Sequence, residues 1–338
     1  MLSHLNALVS LPGVSGDESA VRDYIINHIM PHDYTVDALG NVIVRVKGAK
    51  DIGKTVMLSA HMDEVGFIVT NITDEGYLRF TKVGEIDRRV IVGKRVLIGR
   101  DAVPGIIGMK PVHLASKDEQ SCVPDFSALY IDIGVSSREA AMKRVSLGDT
   151  AVFDSPHFSM GQSLAARAID DRVGCAVLLE LLHEPLPIDV TLVFTVQEEI
   201  GLRGAQAATF AVNPDIAFNI EGTTAADLPG VPEEKQVCKL GGGVVIPFMD
   251  GGAVYDRELY ADITALAERL DIPWQTKTTV AGGTDAAMIQ RSRAGVQVLG
   301  LAAPVRNLHT GHNVADVRDM DSILTLTRAI LFDLGEKA

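Results

Sequence analysis

Apolar residues recur with a helical period at both ends of the chain, and the middle loses that period. Val21, Tyr24, Ile25, His28 and Ile29 predict a helix over 17–30, with Ser15 or Asp17 as cap and Pro31 as stop. Residues 34–46 alternate around Leu39-Gly40-Asn41, the pattern of a hairpin. Thr55–Ala60 is a short apolar strand that runs straight into His61-Met-Asp-Glu64. From about Gly66 to Gly161, short alternating segments (65–72, 77–83, 95–98 and 151–153) are separated by turn residues, and only 137–143 reads as helical. From about Ser163 the first texture returns. Helices over 171–183, 201–211, 256–270 and 319–334 alternate with strands over 190–196, 215–220 and 296–301.

Strands that alternate with helices predict a mostly parallel sheet covered on both faces. The expected fold class is α/β: a mixed, mostly parallel sheet flanked by helices, carrying an inserted small β-barrel. Residues 1–65 and 163–338 are expected to form one discontinuous α/β domain, and residues 66–162 the β-rich insertion. No internal repeat or low-complexity tract is present.

Composition narrows the function classes. The chain has 338 residues, 47% hydrophobic and 22% charged, which suits a folded protein and not a disordered one. A formal net charge of −13 argues against nucleic acid or an anionic membrane as partner, because both need basic patches. The three cysteines, Cys122, Cys175 and Cys238, are odd in number and widely spaced, so reduced thiols are expected and neither a disulfide framework nor a Cys-rich zinc module. There is no apolar run long enough to span a membrane and no basic segment leading an apolar core at the start, so a cytoplasmic location is expected.

The candidate chemistry gathers at strand ends. Leu192-Val-Phe-Thr-Val196 is a buried-strand pattern that ends in Glu198-Glu199. Adjacent ionised carboxylates are costly to bury unless something of opposite charge compensates them, and a metal ion is the obvious compensation; the alternative is that both glutamates simply face water. Four further places repeat the theme: His61-Met-Asp63 after the Thr55–Ala60 strand, Asp170-Asp171 at a helix start, Glu221 after Ile216–Ile220, and His309 in Val305-Arg-Asn-Leu-His309. Each has an ordinary structural reading by itself, such as a helix cap for the Asp pair. Three of the five, at 61, 198–199 and 221, directly follow an apolar strand and so fall together at the carboxyl edge of an open α/β sheet, where sites form. Two imidazoles among carboxylates suit Zn²⁺ or a similar ion.

Ala60-His-Met-Asp-Glu-Val-Gly66, Ala168-Ile-Asp-Asp-Arg172, Gln197-Glu-Glu-Ile-Gly-Leu-Arg-Gly204, Gly282-Gly-Thr-Asp285 and Asn307-Leu-His309 resemble the tetrahedral aminopeptidases, a family that includes glutamyl aminopeptidases and relatives labelled endoglucanases. The resemblance spans essentially the whole chain, with Gly108-Met-Lys-Pro-Val-His113 and Tyr130-Ile-Asp-Ile-Gly134 as landmarks in the middle. It implies two divalent metal ions per subunit, Zn²⁺ or Co²⁺ foremost and Mn²⁺ as a further candidate. His61 and Glu221 would hold one, Glu199 and His309 the other, and Asp170 would bridge them. Glu198 would be the general base, and Asp63 would orient His61 from behind. The Asp170–Asp171 peptide would be cis. Many relatives carry Asp where this chain has Glu221, one methylene longer, which bears on metal affinity or preference. His312 is a rival to His309. The insertion would pair subunits, and dimers would close into a tetrahedral dodecamer acting on peptides.

The metal ions would activate water and polarise the scissile carbonyl, with Glu198 carrying the proton to the leaving amine. A glycosidase is the competing enzyme reading. It needs two carboxyls flanking a sugar and usually aromatic platforms, whereas aromatics are 5% here with a single Trp274. A scaffold that kept the fold is the third reading, and would be expected to lose ligand-type residues. Asp285 either shapes the pocket or sits in a plain Gly-rich turn, and Gly241-Gly-Gly243 lacks the Lys-Ser/Thr of a phosphate loop.

Overall fold

The computed structural model describes residues 1–338. Its larger part is an eleven-stranded mixed sheet. Four parallel strands form the centre, in the order Val190–Thr195, Val56–His61, Ile216–Thr224 and Gln297–Arg306. Antiparallel strands extend both sides, Val42–Val46 and Asp33–Val36 on one, Asn313–Asp316, Ser163–Ala166 and Phe158–Met160 on the other, and Val244–Ile246 with its partner Trp274–Thr276 branches from Gln297–Arg306 to make eleven.

The central strands carry almost no surface. Val56–His61 is buried throughout and Ile216–Thr224 at all but its last residue. Strands covered on both faces read as continuous apolar runs and not as alternating ones, which is why they stood out in the sequence. The helices Ile169–Leu181 and Val317–Lys337 pack against this sheet through apolar stripes such as Val173, Val177, Leu178 and Leu181.

The inserted segment folds as a closed antiparallel barrel. Its strands run in the order Gly66–Ile72, Leu78–Val83, Tyr130–Asp132, Val103–Gly108, Arg95–Ile98 and Thr150–Phe153. The barrel has a separate apolar core. Phe67 anchors it, meeting Phe80 and Phe153 edge to face with centroids 5.2 and 5.3 Å apart.

Several expected boundaries shift. Phe158–Met160 lies inside the 66–162 segment yet pairs with Ser163–Ala166 in the large sheet, so the chain returns to that sheet before residue 163. The strand expected to stop at Ile220 continues to Thr224, which puts Glu221 inside it, paired with Ala302. The helix expected over 201–211 begins only at Arg203, because Glu198–Leu202 forms a tight turn first. The helices Leu2–Leu8 and Lys117–Ser121 were not legible as periodic patterns; both are too short to show a period.

Candidate metal centre

The four parallel strands deliver the site, each from its carboxyl end. His61 closes Val56–His61, Glu198 and Glu199 follow Val190–Thr195, Glu221 lies late in Ile216–Thr224, and His309 follows Gln297–Arg306. Asp170 enters from the first turn of Ile169–Leu181, where Asp170 and Asp171 depart from helical geometry and the peptide between them is cis. Backbone conformation is unusual around the same place. Ala168, Gln197, Leu202, Asn307 and His309 all have left-handed φ near +55°, a conformation that costs energy for residues with a Cβ and clusters at functional sites.

Asp170 is the centre of the group. Its Oδ1 lies 3.4 Å from His61 Nε2 and its Oδ2 lies 3.8 Å from His309 Nε2. Glu221 Oε2 is 3.5 Å from His61 Nε2, and Glu199 Oε1 is 3.3 Å from His309 Nε2. All the candidates named from the sequence therefore converge, except His312. That imidazole sits instead against Phe158, with ring centroids 5.7 Å apart.

Other side chains hold these in place. Gly222 N–H donates to Asp170 Oδ1 at 3.0 Å, and a Cβ at Gly222 would come within 2.7 Å of Asp170. Asn219 donates to Glu221 Oε1 at 2.8 Å and is itself met by the Ser59 hydroxyl at 2.6 Å. Asp171 accepts the backbone N–H groups of His61 and Gly174, and one of its oxygens lies within 4.8 Å of ligand atoms of His61 and Glu221. Asp63 is fully buried and accepts the Ser15 hydroxyl at 2.6 Å. The ring Nδ1 of His61 donates to the main-chain carbonyl of Asp63 at 3.1 Å, nearer than the Asp63 carboxylate at 3.5 Å. Ser15, Asn219 and Asp171 were not singled out for these contacts from the sequence. Partners such as Ser15 and Asp63 are far apart in the chain, and nothing in the spacing of either announces the other.

Electrostatics distinguish the carboxylates. Burial raises Glu198, Glu199, Glu221 and Asp171 above the ordinary carboxylate range. Burial opposes ionisation of Asp170 too, but His61 and His309 hold it low. Burial works against protonation of His309, yet Glu199 and Asp170 lift it to about 9. Such a set is poorly compensated by its imidazoles alone. Nitrogen and carboxylate oxygen donors converging in a buried cleft, with excess negative charge, fit divalent cations of the Zn²⁺, Co²⁺ or Mn²⁺ kind.

Glu198 stands apart. It is 9% exposed and its carboxylate accepts no hydrogen bond from the protein, while its backbone N–H is held by Asp63 Oδ1 at 3.0 Å. It lines a cleft of about 420 Å³ together with His61, Asp170, Glu221, His309 and Lys277. Glu85 lines the same cleft from the loop after barrel strand Leu78–Val83, and its main chain lies against the His309 ring, so the barrel closes one side. No Phe, Tyr or Trp lines the cleft, and Trp274 lies in a peripheral strand, so the aromatic platforms of a glycosidase are absent.

Comparison with known proteins identifies the family. A family model described as M42 glutamyl aminopeptidase matches residues 40–326. A lysyl aminopeptidase of Pyrococcus furiosus is 31% identical, the match covering 98% of this chain and 96% of that protein. The crystal structure of a TET aminopeptidase from a Thaumarchaeota archaeon of marine sediment superposes with a TM-score of 0.94 at 31% identity, over 99% of this chain and 98% of that one. A TET peptidase of Pyrococcus horikoshii, which can assemble into a tetrahedron or a large octahedral shell, gives 0.87 at 35% identity, over 98% of each chain. With the family model matching residues 40–326 and relatives at 31% identity along nearly the whole chain, the chain belongs to the M42 glutamyl aminopeptidase family and is a peptide hydrolase.

Proposed function

We propose that this enzyme removes N-terminal residues from peptides at a centre holding two divalent cations. The observation that carries the proposal is Asp170, whose two oxygens each face a different imidazole, His61 at 3.4 Å and His309 at 3.8 Å. A carboxylate so placed suits a bridge, with His61 and Glu221 on one side and Glu199 and His309 on the other. When bound, the ions supply Lewis-acid polarisation of the scissile carbonyl and of the attacking water.

The protein's own residues then divide the remaining work. Glu198, unbonded and lining the cleft, takes the proton of the water and returns it to the leaving amine. Asp63 and Asp171 hold the main chain of Glu198 and of His61, so base and imidazole keep a fixed separation. The barrel loop at Glu85 walls one side of the cleft and narrows the space left for a substrate.

We also propose that the chain assembles, through the 66–162 segment first, into dimers and then into a tetrahedral dodecamer. The kinship with a TET peptidase that forms closed shells supports this. A cytoplasmic location fits three free cysteines and the lack of any helix long and apolar enough to cross a membrane. The family description names glutamyl and one relative lysyl activity, so acidic and basic N-terminal residues both belong in the substrate panel.

The decisive experiment is hydrolysis of a panel of aminoacyl-p-nitroanilides and short peptides by protein stripped with chelator and reloaded with Zn²⁺, Co²⁺ or Mn²⁺. Stepwise release of N-terminal residues, lost on stripping and restored by metal, is expected. Turnover that survives complete stripping would overturn the two-cation mechanism.

A further inference from the structure

A second cluster of ligand-type side chains lies away from the cleft. His4, buried on the N-terminal helix Leu2–Leu8, meets Glu180 and His183 at the far end of the Ile169–Leu181 helix. His4 Nε2 is 3.2 Å from His183 Nε2, and His183 Nε2 is 4.0 Å from Glu180 Oε2. The ligand atoms of all three residues fall within 4.8 Å of one another. The other ring nitrogen of His4, Nδ1, is 3.1 Å from the Tyr24 hydroxyl, which leaves Nε2 to face the cluster. Glu180 also pairs with the Met1 amino group. His28 completes the surroundings, its ring stacked on Tyr24 and edge-on to His4 at a centroid distance of 5.1 Å.

Two imidazole nitrogens facing each other at 3.2 Å need something between them, either a shared proton or a cation. In a tetrahedral site with metal–nitrogen bonds of about 2.0–2.1 Å, ligand nitrogens sit roughly 3.3 Å apart. A metal-bound histidine typically uses its second ring nitrogen for a hydrogen bond that fixes the ring, as Tyr24 does for His4. Two imidazoles and a carboxylate favour Zn²⁺ or a comparable ion over Mg²⁺ or Ca²⁺.

We propose that His4, Glu180 and His183 form a further divalent-metal site of the Zn²⁺ class, remote from the cleft, that fastens the N-terminal helix to the helix whose first turn carries Asp170. The same two elements are joined again nearer the centre. Arg172 donates to the carbonyl oxygens of Leu8 at 2.6 Å and Leu11 at 3.2 Å. The segment so held continues to Ser15, which bonds Asp63. The metal would thus clamp the outer end of a segment whose inner end already supports the centre.

The test compares wild-type protein with His183→Ala and Glu180→Gln. His183 is 60% exposed in its side chain, so its truncation leaves the core intact. Zinc retained per chain is counted after equilibration at micromolar free Zn²⁺, and amide exchange over the Leu2–Leu8 helix is followed with and without zinc. Wild type is expected to retain one zinc equivalent more than either variant and to show zinc-dependent slowing of exchange that both variants lose, while peptide hydrolysis is equal in all three. Equal zinc content and equal exchange in wild type and variants would overturn the proposal. So would an extra equivalent that binds only at millimolar zinc without changing exchange.

Discussion

Asp63 Oδ1 accepts the backbone N–H of Glu198 at 3.0 Å, and its Oδ2 accepts that of Glu199 at 3.1 Å. One buried carboxylate thus fixes the turn that carries two of the central glutamates. The same residue orients His61 mainly through its main-chain carbonyl. Asp63→Asn would set an amide N–H₂ against one of those backbone N–H groups. Activity is expected to fall about 10–100-fold, as for other residues that support metal ligands, with weaker metal retention by equilibrium dialysis. Wild-type kcat/KM in Asp63→Asn would show that the turn does not depend on this contact.

Glu198→Gln keeps the size of the side chain and removes its basicity. The variant should hold as much metal as wild type and lose roughly 10²–10⁴-fold in kcat, the usual contribution of a positioned general base. Full turnover of the metal-loaded variant would reassign the base.

His309 and His312 lie three positions apart and face different surroundings, Glu199 and Asp170 for the first and Phe158 for the second. His309→Ala is expected to lose one of the two metal equivalents of the cleft, and His312→Ala none. Elemental analysis after desalting decides between them; the reverse pattern would move the ligand to His312.

Gly222 is a position where a single methyl group is expected to matter. Its Cβ would meet Asp170 side-chain atoms at 2.7 and 2.8 Å. Gly222→Ala should displace the carboxylate between the two imidazoles and lower kcat/KM by about tenfold or more, with circular dichroism unchanged. An unimpaired Gly222→Ala enzyme would mean that Asp170 can shift without consequence.

Glu18 is buried, which raises it to about 7, and its Oε1 accepts the backbone N–H groups of Gly16 and Gln197. Its folded pKa exceeds the unfolded one, so the stability it contributes is full below about 4.5 and is lost as pH rises through about 7. Glu18→Gln can keep both hydrogen bonds and cannot ionise. In metal-free protein, the Tm of the variant should gain on wild type between pH 5 and 7 and hold that lead above it. Parallel Tm–pH curves would show that Glu18 is not strained by ionisation.

The sequence by itself determined most of the longer elements and the candidate residues at their ends. Unbroken apolar runs such as Thr55–Ala60 and Leu192–Val196 marked strands covered on both faces, because only such strands can do without polar positions. The loss of helical period after Gly66 marked the barrel. His61, Glu198, Glu199 and Glu221 were legible as candidates because charged or ligand-type side chains directly after buried strands are costly without a purpose; Asp170 and His309 became candidates only alongside them and through the family resemblance.

Tertiary structure decided what sequence separation hides. Only the strand order places His61 beside Thr195 in register and Glu221 one strand further on. Only the folded chain brings Ser15 to Asp63 across 48 positions, and Ser59 to Asn219 across 160. Hydrogen bonds of this kind depend on ångström-scale placement by packed elements, and a serine or asparagine carries the same local signal whether or not its partner arrives. The choice of His309 over His312 to face Asp170 is of the same origin. A left-handed residue at His309 turns that imidazole into the cleft, and three residues later the chain has turned away.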